Sequence, residues 1–193
     1  KVLSPSLKIW GISATIGNME ESLKVLLGDW YNSKPHQIIR SDIKKKYEVE
    51  SIYPDDVDEL PWAGHLGIKL IEKAIPILLK SESTLIFLNT RGQAEIWYQK
   101  LLEVSPDFAG VVAIHHGSMS RETRHWVEDA LHEGKLKAVI CTSSLDLGVD
   151  FRPVETIIQV GSPKGVARFM QRAGRSGHQP GATSKIYFLP THS

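Results

Sequence analysis

A chain of 193 residues is long enough for one good core, or for one domain with a piece of another. Its net charge of +1 excludes a global basic field, so any nucleic-acid surface must be a local patch. A single cysteine, Cys141, excludes an internal disulfide framework, and no run approaches the roughly 20 apolar residues of a membrane span. The start, Lys1-Val2-Leu3-Ser4-Pro5, has no signal-peptide pattern. These features fit a reducing cytoplasm. Because residue 1 is Lys rather than Met, a piece of a longer protein is expected.

Leu7 to Ile12 is a short apolar run and reads as a buried strand. Ser13-Ala14-Thr15 follows as a polar turn, and Met19 to Leu27 has helical apolar spacing stopped by Gly28. This opening looks like the last part of a domain whose beginning lies upstream. Ile38-Ile39 and Tyr47 to Tyr53 read as strands, the second half-exposed. Residues 54–61 make an acidic linker, and the domain boundary is expected between Asn32 and Pro61, drawn at 35/36. Ile68, Ile71, Ile75, Leu78 and Leu79 fall on one helical face, with Pro76 as an expected kink. Thr84 to Leu88 is a continuous apolar strand. Thr90 then opens a helix with capping-box spacing to Gln93 and a stripe of Ala94, Trp97, Tyr98 and Leu101. Gly110 to Ile114 is the next strand, and Ser120 can cap a helix carrying Trp126, Val127, Ala130 and Leu131. Trp97 and Trp126 are both expected in the core rather than as base-stacking platforms. Leu136 to Cys141, Thr156 to Val160 and Ser184 to Leu189 complete the strands. Strands apolar on both faces and alternating with helices predict an α/β fold, a parallel sheet covered by helices on both sides.

Ligands bind such sheets at the carboxyl ends of the strands. After those ends come Asn89-Thr90-Arg91, His115-His116-Gly117-Ser118, Thr142-Ser143-Ser144 and Gly161-Ser162-Pro163-Lys164. Nearly all are small, polar or basic, and hydroxyls and helix N-terminal amides hold phosphates. Four such turns along one edge form a groove suited to a phosphate backbone. Gln171-Arg172-Ala173-Gly174-Arg175-Ser176-Gly177-His178 sets two arginines and a histidine around two glycines. Arginine's planar fork fits phosphate oxygens, and glycine admits a close backbone approach. Gly148 would likewise admit a ligand, and Asp150 could either accept from a ribose hydroxyl or cap a short helix. A dinucleotide fold would want Gly-x-Gly-x-x-Gly between strand and helix, and the chain has none. His115, His116, His125 and Cys141 have no recognised zinc spacing, so no metal site is expected.

These strings resemble the motifs of superfamily-2 helicases. Ser13-Ala14-Thr15 resembles motif III, Thr142 to Asp150 motif V and Gln171 to His178 motif VI, in matching order. Trp62 to Gly67, Phe87 to Arg91, His115 to Ser118 and Gly161 to Arg168 resemble the Lhr (large helicase-related) group of DEXH-box helicases, in its bacterial, ligase-associated branch. The resemblance implies a RecA-like, P-loop NTPase type of helicase C-terminal domain over 36–193, with 1–35 as the tail of the first RecA-like domain. It implies a 3′-to-5′ DNA-translocating ATPase acting in DNA repair. Its partners would be single-stranded DNA, a DNA or RNA–DNA duplex, a DNA ligase and a nuclease. Arg175 or Arg172 would be the arginine finger, with Gln171 near the phosphates and His178 standing where many relatives carry a further Arg. Gly148, Asp150 and Gly174 would face the nucleotide. Asn89, Thr90, Arg91, His116, Ser118 and Thr142 would hold the DNA, and Ser13 and Thr15 would couple the two. The chain contains no Gly-x-x-x-x-Gly-Lys-Ser/Thr loop and no Asp-Glu-x-His string. ATP and Mg2+ would therefore be held mainly by the first domain, and these residues alone are expected to be inactive. The alternative is a non-catalytic nucleic-acid-binding module.

Overall fold

A strand that is apolar on both faces can be satisfied only between two layers. In the computed structural model, which describes residues 7–13, 16–40, 46–53, 70–146, 154–177 and 183–191, such strands form the centre of a six-stranded sheet. They are β1 (Lys46–Ser51), β2 (Thr84–Phe87), β3 (Val112–His115), β4 (Ala138–Cys141), β5 (Thr156–Val160) and β6 (Thr183–Leu189). Their order is β1-β6-β5-β2-β4-β3, and every pairing is parallel. β2, β4 and β5 are buried throughout. The expected parallel sheet is present.

Alternation along the strands divides the core in two. Ile86, Leu88, Ile140 and Ile158 pack with Leu78 of α2 (Ile71–Lys80) and with Trp97 and Leu101 of α3 (Arg91–Val104). Leu85, Phe87, Val139 and Ile157 pack with Val127 and Leu131 of α4 (Arg121–His132) and with Ala173 of α5 (Val166–Ala173). Thr90 and Ser120 cap α3 and α4 as expected, accepting from the backbone N–H of Gln93 and Thr123. Gln93 closes its half of the box one residue early, accepting from the Asn89 N–H.

The chain divides into two compact units, Lys1–Asp42 and Ile43–Ser193, a division inside the stretch 32–61 and a few residues past 35/36. In the first, Asn18 caps α1 (Met19–Leu27), and Gly28 (φ 54°) ends it. The expected strand at Leu7–Ile12 is absent: residues 7–13 take no regular secondary structure, and Ile12 is 93% exposed. Ile38-Ile39 also forms no strand. A strand exists only where a neighbour receives its ladder hydrogen bonds, and among the described residues of this unit none does.

Two side chains depart from the expected core. Leu79 points outward at 63% exposure, because Ala74 fills the helical position between Ile71 and Leu78 on the buried face of α2. Trp126 is 61% exposed, because Val127, Ala130 and Leu131 already cover the face of α4 that meets the sheet. Ile68, the 54–61 linker and Trp62 to Gly67 lie outside the described residues. In urea unfolding of the chain, Leu101→Ala is expected to cost about 2–5 kcal/mol through the cavity it leaves. Trp126→Ala should stay within about 0.5 kcal/mol.

Candidate nucleotide and nucleic-acid interface

Because β5, β2, β4 and β3 are adjacent and parallel, their carboxyl ends deliver four turns to one edge of the sheet in that order. The turns are tied to each other. Asn89 Nδ2 donates to the Ser162 carbonyl at 2.9 Å, joining the β2 and β5 turns. Arg91 Nη1 donates to Ser118 Oγ at 3.1 Å, joining the β2 and β3 turns across β4. A Cβ on Gly161 (φ 69°) would meet Thr191 Oγ1 at 2.7 Å, so this close approach needs glycine. Helices α3, α4 and α5 all start here, and their N-termini add partial positive charge to the edge.

Of the expected nucleic-acid contacts, Thr90, Arg91 and Ser118 are exposed and Asn89 is half-buried. Thr142 and His116 are buried. The two nitrogens of His116 are occupied, Nδ1 by the Ser118 backbone N–H at 3.3 Å and Nε2 by Glu95 Oε1 at 3.3 Å. Its neighbour His115 is turned to the other face, with Nδ1 2.7 Å from Ser144 Oγ and Nε2 3.0 Å from Glu128 Oε1. Burial lowers the His115 imidazole below its ordinary 6.5, against the opposing pull of Glu128. Burial pushes the Cys141 thiol well above its ordinary value, which leaves it unreactive at neutral pH.

The arginine-rich segment is organised by a residue the sequence did not single out. Asp146 follows the short 3-10 turn Ser143–Leu145, whose Leu145 is anchored in the core. Its carboxylate takes two hydrogen bonds from Arg172, Nε to Oδ1 at 2.8 Å and Nη2 to Oδ2 at 3.4 Å. Arg172 is only 2% exposed; Nη1 donates to Gln159 Oε1 at 2.7 Å, and its plane lies 4.6 Å from the Phe87 ring centre. Arg168 Nε stands 3.4 Å from Asp146 Oδ2. Arg175 instead uses the backbone: Nη2 and Nε donate to the Asp146 carbonyl at 2.8 and 3.3 Å. Its guanidinium is half-buried, and burial lowers it from its ordinary value with Asp146 opposing; an arginine remains charged there. Val154 receives the Gly177 N–H and donates to the Arg175 carbonyl, which pins the backbone on both sides of Ser176. A Cβ at Gly174 would sit 3.2 Å from the Gln171 carbonyl, a tight contact that the turn would have to relieve by a few tenths of an ångström.

Three guanidinium groups against one carboxylate leave this edge locally positive. One of them is sealed in the core, and another, Arg175, reaches the edge from a fixed backbone. The arrangement can hold an anion; among the described residues no cluster of three metal-ligating side chains occurs. Nothing local marks Asp146, Gln159 or Phe87 in the sequence, because Arg172 lies 26, 13 and many more residues away from them in the chain. Ser13 is exposed in the first unit, while Thr15, Gly148, Asp150 and His178 lie outside the described residues.

Residues 68–179 match the family model for the helicase conserved C-terminal domain. The ATP-dependent helicase Lhr-Core protein 2 of Thermococcus barophilus is 35% identical over 183 residues, covering 93% of this chain and 21% of that protein. The Lhr helicase/uracil glycosylase of Escherichia coli is 31% identical, covering 98% of this chain and 15% of that protein. The structure of the Mycobacterium smegmatis helicase Lhr bound to ssDNA and AMP-PNP superposes with a TM-score of 0.80 at 33% identity, over 93% of this chain and 23% of that one. The C-terminal domain of the DEAD-box protein Dbp5 superposes at 0.55 with 25% identity, over 77% of each chain. The fold is thus the RecA-like helicase C-terminal fold. The chain spans about a fifth of the length of the Lhr-Core relatives it matches.

Removing the Asp146 carboxylate strands the Arg172 charge in the core, so Asp146→Ala should cost about 3–5 kcal/mol. Arg175→Ala, which loses bonds to one carbonyl, should cost about 1 kcal/mol in the same urea titration. His115 gives a pH signature. An unfolded chain takes up its proton near 6.5 and the folded one only at lower pH, so the unfolded state binds more protons in between. Stability should fall as pH drops below 6.5, down to the lowered value and no further. The thermal midpoint of His115→Asn should fall less steeply between pH 7 and pH 5 than that of the parent chain.

Proposed function

This chain belongs to the helicase conserved C-terminal domain family, and from that premise we propose that it serves as the second motor domain, with the tail of the first, of an ATP-dependent 3′-to-5′ DNA translocase. The observation that carries the reading is the Asp146 anchor. One residue after the β4 turn binds Arg172 by its carboxylate and Arg175 by its carbonyl, so the two segments that resemble motifs V and VI are one unit. The likeness to an Lhr helicase bound to ssDNA and AMP-PNP supports DNA and a nucleoside triphosphate as the ligands.

In this reading the two arginines have different tasks. Arg172 is the internal clamp: it is fully engaged and shielded, and it cannot leave without stranding Asp146. Arg175 is the finger, oriented by two donations to one carbonyl and open to the edge. ATP, when bound, supplies the phosphoanhydride whose cleavage drives movement. The part of Arg175 is to lend a fixed positive charge to the oxygens that become more negative in the transition state. Gln171, four residues before it, would contact the same phosphates, with Gly148, Asp150 and Gly174 toward the nucleotide and Mg2+ held mainly by the first domain. Asn89, Thr90, Arg91, Ser118, His116 and Thr142 hold the DNA backbone, with the His116 ring accepting from the Ser118 N–H. Ser13 and Thr15 couple nucleotide state to grip.

The test is DNA-stimulated ATP hydrolysis by the full-length protein with and without Arg175→Ala. Loss of about 10³-fold in kcat with DNA binding retained is expected, the usual worth of an arginine finger. The 193 residues alone are expected to hydrolyse no ATP. If the substitution leaves hydrolysis intact and weakens only DNA binding, the chain is a nucleic-acid-binding module instead. Unwinding of duplexes with a 3′ tail but not a 5′ tail checks the direction.

A further inference from the structure

The consecutive histidines at the end of β3 are used alike on opposite faces of the sheet. Each presents Nε2 to a glutamate of an overlying helix, Glu128 of α4 or Glu95 of α3. Each presents Nδ1 to a serine of an edge turn, the Ser144 hydroxyl or the Ser118 N–H. A carboxylate on Nε2 holds the proton on that nitrogen and leaves Nδ1 an acceptor. The relays differ in depth. The His115 side chain is 1% exposed and Glu128 19%, whereas Glu95 is 51% exposed.

The proton inventory around His115 is decisive. Ser144 Oγ has one hydrogen and two acceptors in reach, His115 Nδ1 at 2.7 Å and the His115 carbonyl at 3.0 Å. With Nε2–H directed at Glu128, the lone pair of Nδ1 is available at the shorter distance. The one Ser144 hydrogen is thereby directed at the His115 ring rather than at the His115 carbonyl. It is the middle of the turn Ser143–Leu145, between Thr142 and Asp146, and the Asp146 N–H closes that turn on the Ser143 carbonyl. Ser144 thus lies inside the turn that ends at Asp146, and the Asp146 carbonyl is what Arg175 holds.

We propose that His115 is a positioning residue for the motor reaction: held by Glu128, it fixes Ser144 and through it the Asp146 carbonyl that orients Arg175. The inference rests on the reading of Arg175 as the finger. It assigns α4 a role that packing alone does not require, since Glu128 faces the ring rather than the sheet core.

The test uses the full-length protein and ssDNA-stimulated ATP hydrolysis, well below each variant's thermal midpoint. Asparagine carries its amide oxygen near the place of Nδ1, so His115→Asn keeps an acceptor for Ser144 and loses Glu128. Glutamine reaches the place of Nε2, so His115→Gln keeps Glu128 and loses Ser144. Ser144→Ala and His115→Gln should each lower kcat about tenfold, the usual effect of losing a supporting hydrogen bond behind an active group. The double variant should be no worse than either alone. His115→Asn should stay within about twofold of the parent. The proposal is overturned if Asn and Gln lower kcat equally, or if Ser144→Ala runs at the parent rate. Arg175→Ala in the same assay separates the two failures. If it abolishes hydrolysis while Ser144→Ala does nothing, only the relay is wrong; if it leaves hydrolysis intact, the finger reading beneath it is wrong.

Discussion

A guanidinium that is 2% exposed must be neutralised where it sits, and that requirement orders the rest of the site. Arg172 cannot shed its charge, so the core has to bring a carboxylate to it. Asp146 is that carboxylate, with Gln159 taking the third donor and the Phe87 ring lying against the plane. Such a pair adds little net stability over apolar packing of the same volume, but it tolerates few alternative arrangements. The turn after β4 and the end of α5 are locked together as a consequence. The carbonyl of Asp146 then falls to Arg175, whose side chain takes its direction from a residue in the turn after β4.

The second constraint is the parallel sheet itself. Parallel strands need crossovers, so every strand ends on the same edge and every following helix begins there. The edge therefore gathers turns and helix N-termini without any of them being adjacent in sequence. What the side chains add is lateral stitching: Asn89 to the β5 turn, Arg91 to the β3 turn, His115 to the β4 turn. The edge behaves as one surface because each turn is tied to the next. Its positive excess comes from Arg168, Arg172 and Arg175 around a single carboxylate, in a chain whose net charge is only +1.

Where expectation and structure differ, the cause is pairing or competition. Leu7 to Ile12 has the composition of a buried strand and stays unpaired and exposed, since composition cannot supply a neighbour. Trp126 has the residue type of a core position, but the sheet-facing stripe of α4 is complete without it. His116, expected near a phosphate from its place after a strand, has its ring held between Glu95 and the Ser118 N–H. Arg172 and Arg175 are alike in the sequence, yet Arg172 is buried on the Asp146 carboxylate while Arg175 is half-buried on the Asp146 carbonyl.

The residues by themselves determined the architecture and pointed to the sheet edge at which the candidate site is read. Continuous apolar runs, caps at Thr90 and Ser120, and the alternation of strand with helix leave few folds open, because local patterns must be consistent with burial. Polar turns after each strand marked the edge, since a parallel sheet puts them together whatever its strand order. The tertiary structure alone decided which of those residues face outward and which hold others in place. Asp146 meets Arg172 across 26 residues and His115 meets Ser144 across 29, and no local rule spans such distances. Contacts of that kind exist only after the strand order β5-β2-β4-β3 has been chosen, because it is the packing of β4 between β2 and β3 that brings the partners within hydrogen-bonding reach.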